Sequence, residues 1–317
     1  ATRSADLRPY ATIADGASGL AEALDSLDHG PFREVSFTPD QMQEINYASL
    51  LHDFGKVGVR EHVLVKQKKL YPRDVDVIRH RFAYLLQAAD LQFERERANY
   101  LATFGSQDYD EAMQRLDGIR RQRREELQRF LDSILRANEP TLMPEGTFDE
   151  LRQINQRSYI DFDGVEKPLL RDDELRFLMI RKGNLDDQER REIESHVTHT
   201  YRFLEQIPWT RELKGIPEIA YGHHEKLNGR GYPRRVEGDA IPIQTRMMTI
   251  SDIFDALTAT DRPYKRAVPA VRALDILQME ARDGMLDRDL LDAFIQARVY
   301  EEVLHERKPT PAWNPLL

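Results

Sequence analysis

The sequence has 317 residues, a formal net charge of −9 and no cysteine, so it can bury one large core or two smaller ones, and does so without disulfides. Disulfide scaffolds, thiolate metal sites, iron–sulfur clusters and cysteine nucleophiles are excluded together, and any metal must rest on histidine and carboxylate. The negative balance argues against non-specific duplex binding; the lack of a membrane-length apolar run and of a signal-peptide core makes a cytoplasmic location the expectation.

Residues 1–37 mix Gly, Pro, Ser and Asp with a short apolar-periodic stretch from Leu20 to Leu27, and a loosely packed start or linker from an upstream sensor is expected. At Thr38-Pro39-Asp40 an N-cap residue precedes a proline at the first helical position. Met42, Ile45, Ala48, Leu50 and Leu51 then carry a helix into His52-Asp53. Residues 38–80 are taken as the first part of a catalytic domain.

From 81 to 182 the chain is charge-dense. Phe82, Leu85, Leu86, Ala89 and Phe93, then Met113, Leu116, Leu127, Phe130 and Ile134, recur at helical spacing and predict two long helices joined near Phe104-Gly105-Ser106. Arg120 and Arg123 fall where a heptad needs apolar residues, so a packed hairpin with solvated polar faces is expected rather than a coiled coil. Short helical pieces fill 147–180.

Residues 183–317 form the second part of the domain. A helix opens at Leu185-Asp186-Asp187 and passes His196; another starts at Ile216-Pro217 and reaches His223-His224. Asn228-Gly229-Arg230-Gly231-Tyr232-Pro233 reads as a shaped loop. Pro242 starts one more helix, through Met247, Met248, Ile250, Ile253, Phe254 and Leu257, and the tail from Pro269 is again helical. No β-alternating run persists, so the class is all-α.

Two adjacent pairs, His52-Asp53 and His223-His224, lie at the ends of apolar helices, where burying such groups without a partner is costly. Asp252 sits inside an apolar helix and raises the same problem. A divalent cation removes that cost, and this nitrogen and oxygen ligand set suits iron, manganese or zinc without selecting one. With Asp53 bridging, two cations fit, which suits phosphodiester hydrolysis because a bridging hydroxide then needs no protein nucleophile. Positive charge for the phosphate comes from Lys56, one turn beyond Asp53, and from Arg262 and Lys265. His29, His62 and His305 are read as ordinary surface or packing histidines.

These residues resemble a known family. Leu51-His52-Asp53-Phe54-Gly55-Lys56 is similar to the signature of HD-domain phosphohydrolases, and His223-His224-Glu225 through Gly231-Tyr232-Pro233 is similar to that of the HD-GYP proteins. Asp252-Ile253-Phe254-Asp255-Ala256-Leu257-Thr258 and Arg262-Pro263-Tyr264-Lys265 follow in the family's order. The resemblance covers about residues 38–80 and 183–300. It implies an HD-type helical bundle, here carrying a long helical-hairpin insertion, and hydrolysis of cyclic di-GMP to linear pGpG and/or GMP.

It also implies metal positions at His52, Asp53, His223, His224 and Asp252, with Lys56 contacting substrate as a catalytic residue beside Asp53. Arg230 and Tyr232 of the loop, with Arg262 and Lys265, complete the substrate set. A further histidine is expected between the main motifs; His80 and His196 compete, and the sequence context favours His196. The upstream region offers Glu22, Asp25 and His29 without the arrangement that supports a third cation, so two are expected: iron or manganese first, with zinc, nickel or magnesium also compatible. Asn228 stands where an aspartate is usual, which puts the loop's hydrogen bonding in question.

The alternatives are a hydrolase of another cyclic dinucleotide and a catalytically weak binding or docking protein. The insertion carries no familiar motif. It is read as a structural arm, or else as a homodimer surface built from its paired apolar stripes, and the loop around Tyr232 as a docking point for other signalling domains.

Overall fold

The computed structural model describes residues 8–26, 30–144, 146–259 and 267–305. In chain order they form α1 (Arg8–Asp25), α2 (Pro39–Leu51), α3 (Glu61–Leu64), α4 (Pro72–Phe104), α5 (Tyr109–Ala137) and α6 (Thr147–Asn155). After α6 come β1 (Ser158–Ile160), β2 (Glu166–Pro168), α7 (Asp172–Leu178), α8 (Asp187–Leu204), α9 (Ile216–Tyr221), α10 (Ile243–Thr258), α11 (Ala270–Arg282), α12 (Arg288–Gln296) and α13 (Val299–His305). The all-α class holds. Among the described residues no helix is long and apolar enough to cross a membrane.

The chain divides into two compact units, one of Ala1–Leu64 with Arg191–Leu317 and one of Val65–Arg190. The second contains the stretch read as an insertion.

In the first unit the core gathers Leu20, Leu24, Ile45, Ile216, Met247, Met248, Ile250, Phe254, Leu277, Leu290 and Phe294. Each such fully buried side chain contributes about 1.5–3 kcal/mol relative to exposure. The loosely packed start expected for residues 1–37 is corrected here. In α1, Ile13, Ala17, Leu20, Ala21 and Leu24 are buried at helical spacing and pack into this core. Glycine and alanine made the segment look loop-like, yet the small residues permit close packing. A Cβ on Gly16 would lie 2.9 Å from Val303 Cγ2, and one on Gly19 2.8 Å from Glu302 Oε2.

The start of α2 follows its sequence signals. Thr38 Oγ1 accepts from Gln41 N at 3.2 Å while Thr38 N donates to Gln41 Oε1 at 2.9 Å, and Pro39 occupies the first turn. This reciprocal cap fixes where the helix begins, and therefore where, thirteen residues on, it delivers His52.

In the second unit α4 and α5 form the expected long hairpin. Ile78, Phe82, Leu85, Leu127, Phe130 and Ile134 meet Leu151, Ile154, Leu169, Leu170 and Leu178 in its own core. The apolar stripes weighed as a dimer surface are thus largely used internally at their inner ends. Two expectations are corrected. The stretch read as short helical pieces includes an antiparallel pair with Tyr159 opposite Lys167, closed by a turn in which Asp161 N donates to Val165 O at 3.0 Å and Gly164 N to Asp161 O at 2.9 Å. Nor are the polar faces uniformly solvated: Arg81 is buried and donates to both oxygens of buried Glu174, at 2.8 and 2.9 Å, and to Leu169 O at 2.8 Å.

Candidate metal centre

Four separate segments of the first unit supply the site. α2 ends at His52, and Asp53 precedes a 3₁₀ turn over Phe54–Gly58. α8 carries His196, α9 ends just before His223-His224, and α10 carries Asp252.

Three of the histidines share one local device. The Nδ1 atoms of His52, His196 and His223 each lie 2.6 Å from the backbone carbonyl three residues earlier, those of Ser49, Ile193 and Ala220. A carbonyl only accepts, so each Nδ1 carries the proton, and in the neutral ring Nε2 is left as a lone-pair acceptor. The backbone thereby fixes tautomer and ring orientation, as it does for metal-binding histidines.

Those Nε2 atoms converge on carboxylates. His52 Nε2 is 3.2 Å from Asp53 Oδ2 and 3.7 Å from Asp252 Oδ1, and His196 Nε2 is 3.2 Å from Asp53 Oδ1. His52, Asp53, His196 and His223 are almost completely buried. The rings of His223 and His224 are 4.0 Å apart, and that of His224 is 5.2 Å from His196. His223 Nε2 finds no hydrogen-bond partner among the described residues. A bare Nε2 facing a carboxylate oxygen in a buried site is unfavourable, and the pair is reconciled by positive charge between them, a proton or a metal cation.

The electrostatics agree. Burial pushes His52 down, but the carboxylates of Asp53 and Asp252 prevail and lift it to about 10. Burial, reinforced by neighbouring imidazoles, holds His223 well below its ordinary value and, despite the pull of Asp252, His224 down to about 4. Burial disfavours the Asp53 and Asp252 carboxylates, yet the surrounding histidines keep both well below the usual range. The cluster thus holds two carboxylates beside the neutral imidazoles of His223 and His224, with positive charge drawn to His52. Two overlapping groups, His52-Asp53-His223 and His196-His223-His224, each bring their ligand atoms within 4.8 Å of one another. Such a donor set fits a divalent transition metal.

The other predicted residues fall as follows. Lys56 Nζ donates to Asp53 Oδ2 at 2.5 Å, so its charge is anchored beside the cluster. Tyr232 lies with its ring 4.7 Å from that of His224; burial, with the nearby carboxylates of Glu194, Asp252 and Asp53, pushes its phenol up. Arg230 is exposed. Arg262, Lys265 and His29 lie outside the described residues. His80 is exposed on α4, its Nδ1 on Asp76 O at 2.7 Å, and it is His196 that stands in the cluster. Glu22 is exposed, and Asp25 accepts from Phe37 N at 3.2 Å. Asn228 keeps the loop bonded, accepting from Arg230 N at 3.2 Å and donating to Asp283 O at 3.3 Å.

Two contributors were passed over in the sequence. Glu225 is buried and accepts from the backbone of Arg234, Arg235 and Val236, at 2.7, 3.2 and 3.2 Å, so it shapes the loop from within. Its quoted place in a motif was the signal. Gly55 lies against α8: a Cβ there would sit 2.0 Å from His196 O and 2.5 Å from Thr200 N, both backbone atoms. An alanine forces apart the two segments that carry His52 and His196. Gly55→Ala is expected to destabilise the protein by about 1–3 kcal/mol, the range for overpacking. Thermal melting reads this, and a midpoint within about 1 °C of wild type would contradict the close packing.

Comparison with known proteins finds related sequences. A family profile described as an HD domain matches residues 173–290. The chain is 42% identical over 101 residues to 3'3'-cGAMP-specific phosphodiesterase 3 of Vibrio cholerae, which is 32% of this chain and 21% of that protein. It is 30% identical over 138 residues to the cyclic di-GMP phosphodiesterase response regulator RpfG of Xanthomonas campestris, 44% of this chain and 36% of that protein. A cyclic di-GMP phosphodiesterase of Thermotoga maritima is 31% identical over 120 residues, 38% and 32% respectively. The chain thus spans between about a fifth and just over a third of the length of these three relatives. Residues 173–290 thus match the HD-domain profile, and the aligned stretches are similar to proteins named as phosphodiesterases of cyclic dinucleotides.

Proposed function

We propose that this chain is a metal-dependent phosphodiesterase of the HD-GYP type that hydrolyses cyclic di-GMP to linear pGpG and/or GMP. The observation that carries the reading is the buried convergence of histidine Nε2 atoms on the Asp53 carboxylate, His196 facing one oxygen and His52 the other, each at 3.2 Å. His52, Asp53, His196, His223 and His224, with Asp252 3.7 Å from His52 Nε2, are the residues that would hold two divalent cations, iron or manganese before zinc, nickel or magnesium. Such cations supply the acidity that makes water a nucleophile at neutral pH and draw charge from the phosphate oxygens.

The protein's own groups supply the rest. The backbone carbonyls of Ser49, Ile193 and Ala220 keep the imidazole protons away from the cluster. Lys56 is held by Asp53 so that its ammonium meets the non-bridging oxygens of the phosphate without searching for its position. Tyr232 forms a wall beside His224, on the loop that Glu225 braces. Arg230, on the same loop, and Arg262 and Lys265, after α10, carry the further positive charge that a dianionic substrate requires.

A second reading has its own support: the 42% identical stretch belongs to an enzyme named for 3'3'-cGAMP. Chromatography of products from cyclic di-GMP and from 3'3'-cGAMP, each with and without a chelator, tests both. Linear product from cyclic di-GMP, abolished by chelation, is expected. Faster turnover of 3'3'-cGAMP would transfer the assignment to the second reading, and no linear product from either would contradict both.

A further inference from the structure

The geometry points to Thr200 and Thr249 as positioning residues that clamp the backbone of two histidine ligands to the helices bearing His196 and Asp252; this inference rests on the metal-centre reading. Thr200 is completely buried, one helical turn after His196 on α8, so it shares that residue's face. Its hydroxyl donates to His52 O at 2.8 Å and accepts from Gly55 N at 2.8 Å. One side chain therefore fixes both ends of the turn that presents Asp53. Thr249 stands three residues before Asp252 on α10 and is likewise buried. Its hydroxyl lies 2.9 Å from His223 O and 2.9 Å from Thr245 O, one proton serving both carbonyls.

The two clamps have the same logic. A helix that contributes one ligand grips, through a threonine on the same face, the main chain of a histidine contributed by another segment. His52 and His223 are held twice, by their own Nδ1 bonds to the preceding turn and by these hydroxyls on their carbonyls. The first bond sets ring orientation. The second sets where the ring's Cα stands relative to His196 and Asp252. Neither threonine offers an atom to a cation or a phosphate, so they act only through the ligands. Thr245 provides a natural control: it is as buried and also donates to a backbone carbonyl, that of Ile219 at 3.2 Å, but Ile219 is no ligand.

The test is Mn²⁺ binding by calorimetry on the full chain stripped of metal, for wild type, Thr200→Val, Thr249→Val, Thr245→Val and the Thr200→Ser and Thr249→Ser variants, with the melting temperature of each metal-free protein. Outer partners of metal ligands typically govern affinity by about 10–100-fold, and a loss in that range is expected for Thr200→Val and Thr249→Val. Serine at either position should restore affinity to within about threefold, because it keeps the hydroxyl. Thr245→Val should lower the melting temperature while leaving Mn²⁺ affinity unchanged. Wild-type affinity in both valine variants, or an equal loss in Thr245→Val, would overturn the clamps while leaving the metal centre standing. Should a valine variant not fold, its serine counterpart decides: a loss of tenfold or more there overturns the inference. Absence of Mn²⁺ binding by the wild type would overturn the metal reading, and the clamps with it.

Discussion

Asp53→Asn is expected to lower the turnover of a cyclic dinucleotide by about a thousandfold or more, the scale seen when a residue central to a catalytic unit is removed. The substitution keeps the shape of the side chain and removes its charge. In the present geometry one oxygen of Asp53 faces His196, the other faces His52, and the second also receives Lys56. An amide offers one oxygen and one NH2 group, so a carboxylate oxygen that could hold a cation is lost and the cluster gives up half of its buried negative charge. Metal content should fall with activity, since carboxylate charge is what offsets bringing a dication into a dry site. The checks are the initial rate of linear product and the bound metal per chain, in protein whose circular dichroism matches wild type. Turnover within tenfold of wild type would remove Asp53 from the mechanism.

The largest expected effect on stability lies in the other unit. Arg81→Met leaves the Glu174 carboxylate, 1% exposed, without its bidentate partner, although Arg171 still donates to it from its backbone N at 2.8 Å and faces it with Nε at 3.1 Å. Breaking a buried pair from one side costs about 3–5 kcal/mol, and the remaining Arg171 contact places the expected loss at the lower end of that range. Native-state hydrogen exchange is the suitable measurement, because protection in α4 and α7 should fall by that amount while α10 keeps its protection. Converting both partners, in Arg81→Met with Glu174→Leu, should recover most of the loss, since it leaves no charge behind. Loss of less than about 1 kcal/mol in the single variant would show that the pair is solvated in solution.

Arg81 also marks where sequence reading fails. Its partner is 93 residues away, and nothing local distinguishes it from the many arginines around it that lie on exposed helix faces. The same holds for α1, whose alanines and glycines carry little apolar signal although they sit in the core. The β-hairpin escaped because each strand has only three residues, too few for alternation to register. The site was far more readable. His52-Asp53 and His223-His224 are adjacent pairs at the ends of apolar helices, so their neighbours in sequence already point to burial. His196 was favoured over His80 on context, and it is His196 that joins the group. Thr200, Thr249 and Gly55 were invisible for a different reason: each acts on backbone atoms of another segment, and such contacts leave no periodicity behind.

The central claim is that four distant stretches of the chain gather around a cation, and anomalous diffraction at the manganese edge from crystals grown with Mn²⁺ tests it most directly. The account predicts strong anomalous peaks enclosed by His52, Asp53, His196, His223, His224 and Asp252. A map with manganese elsewhere, or with none while these residues remain in place, would contradict it.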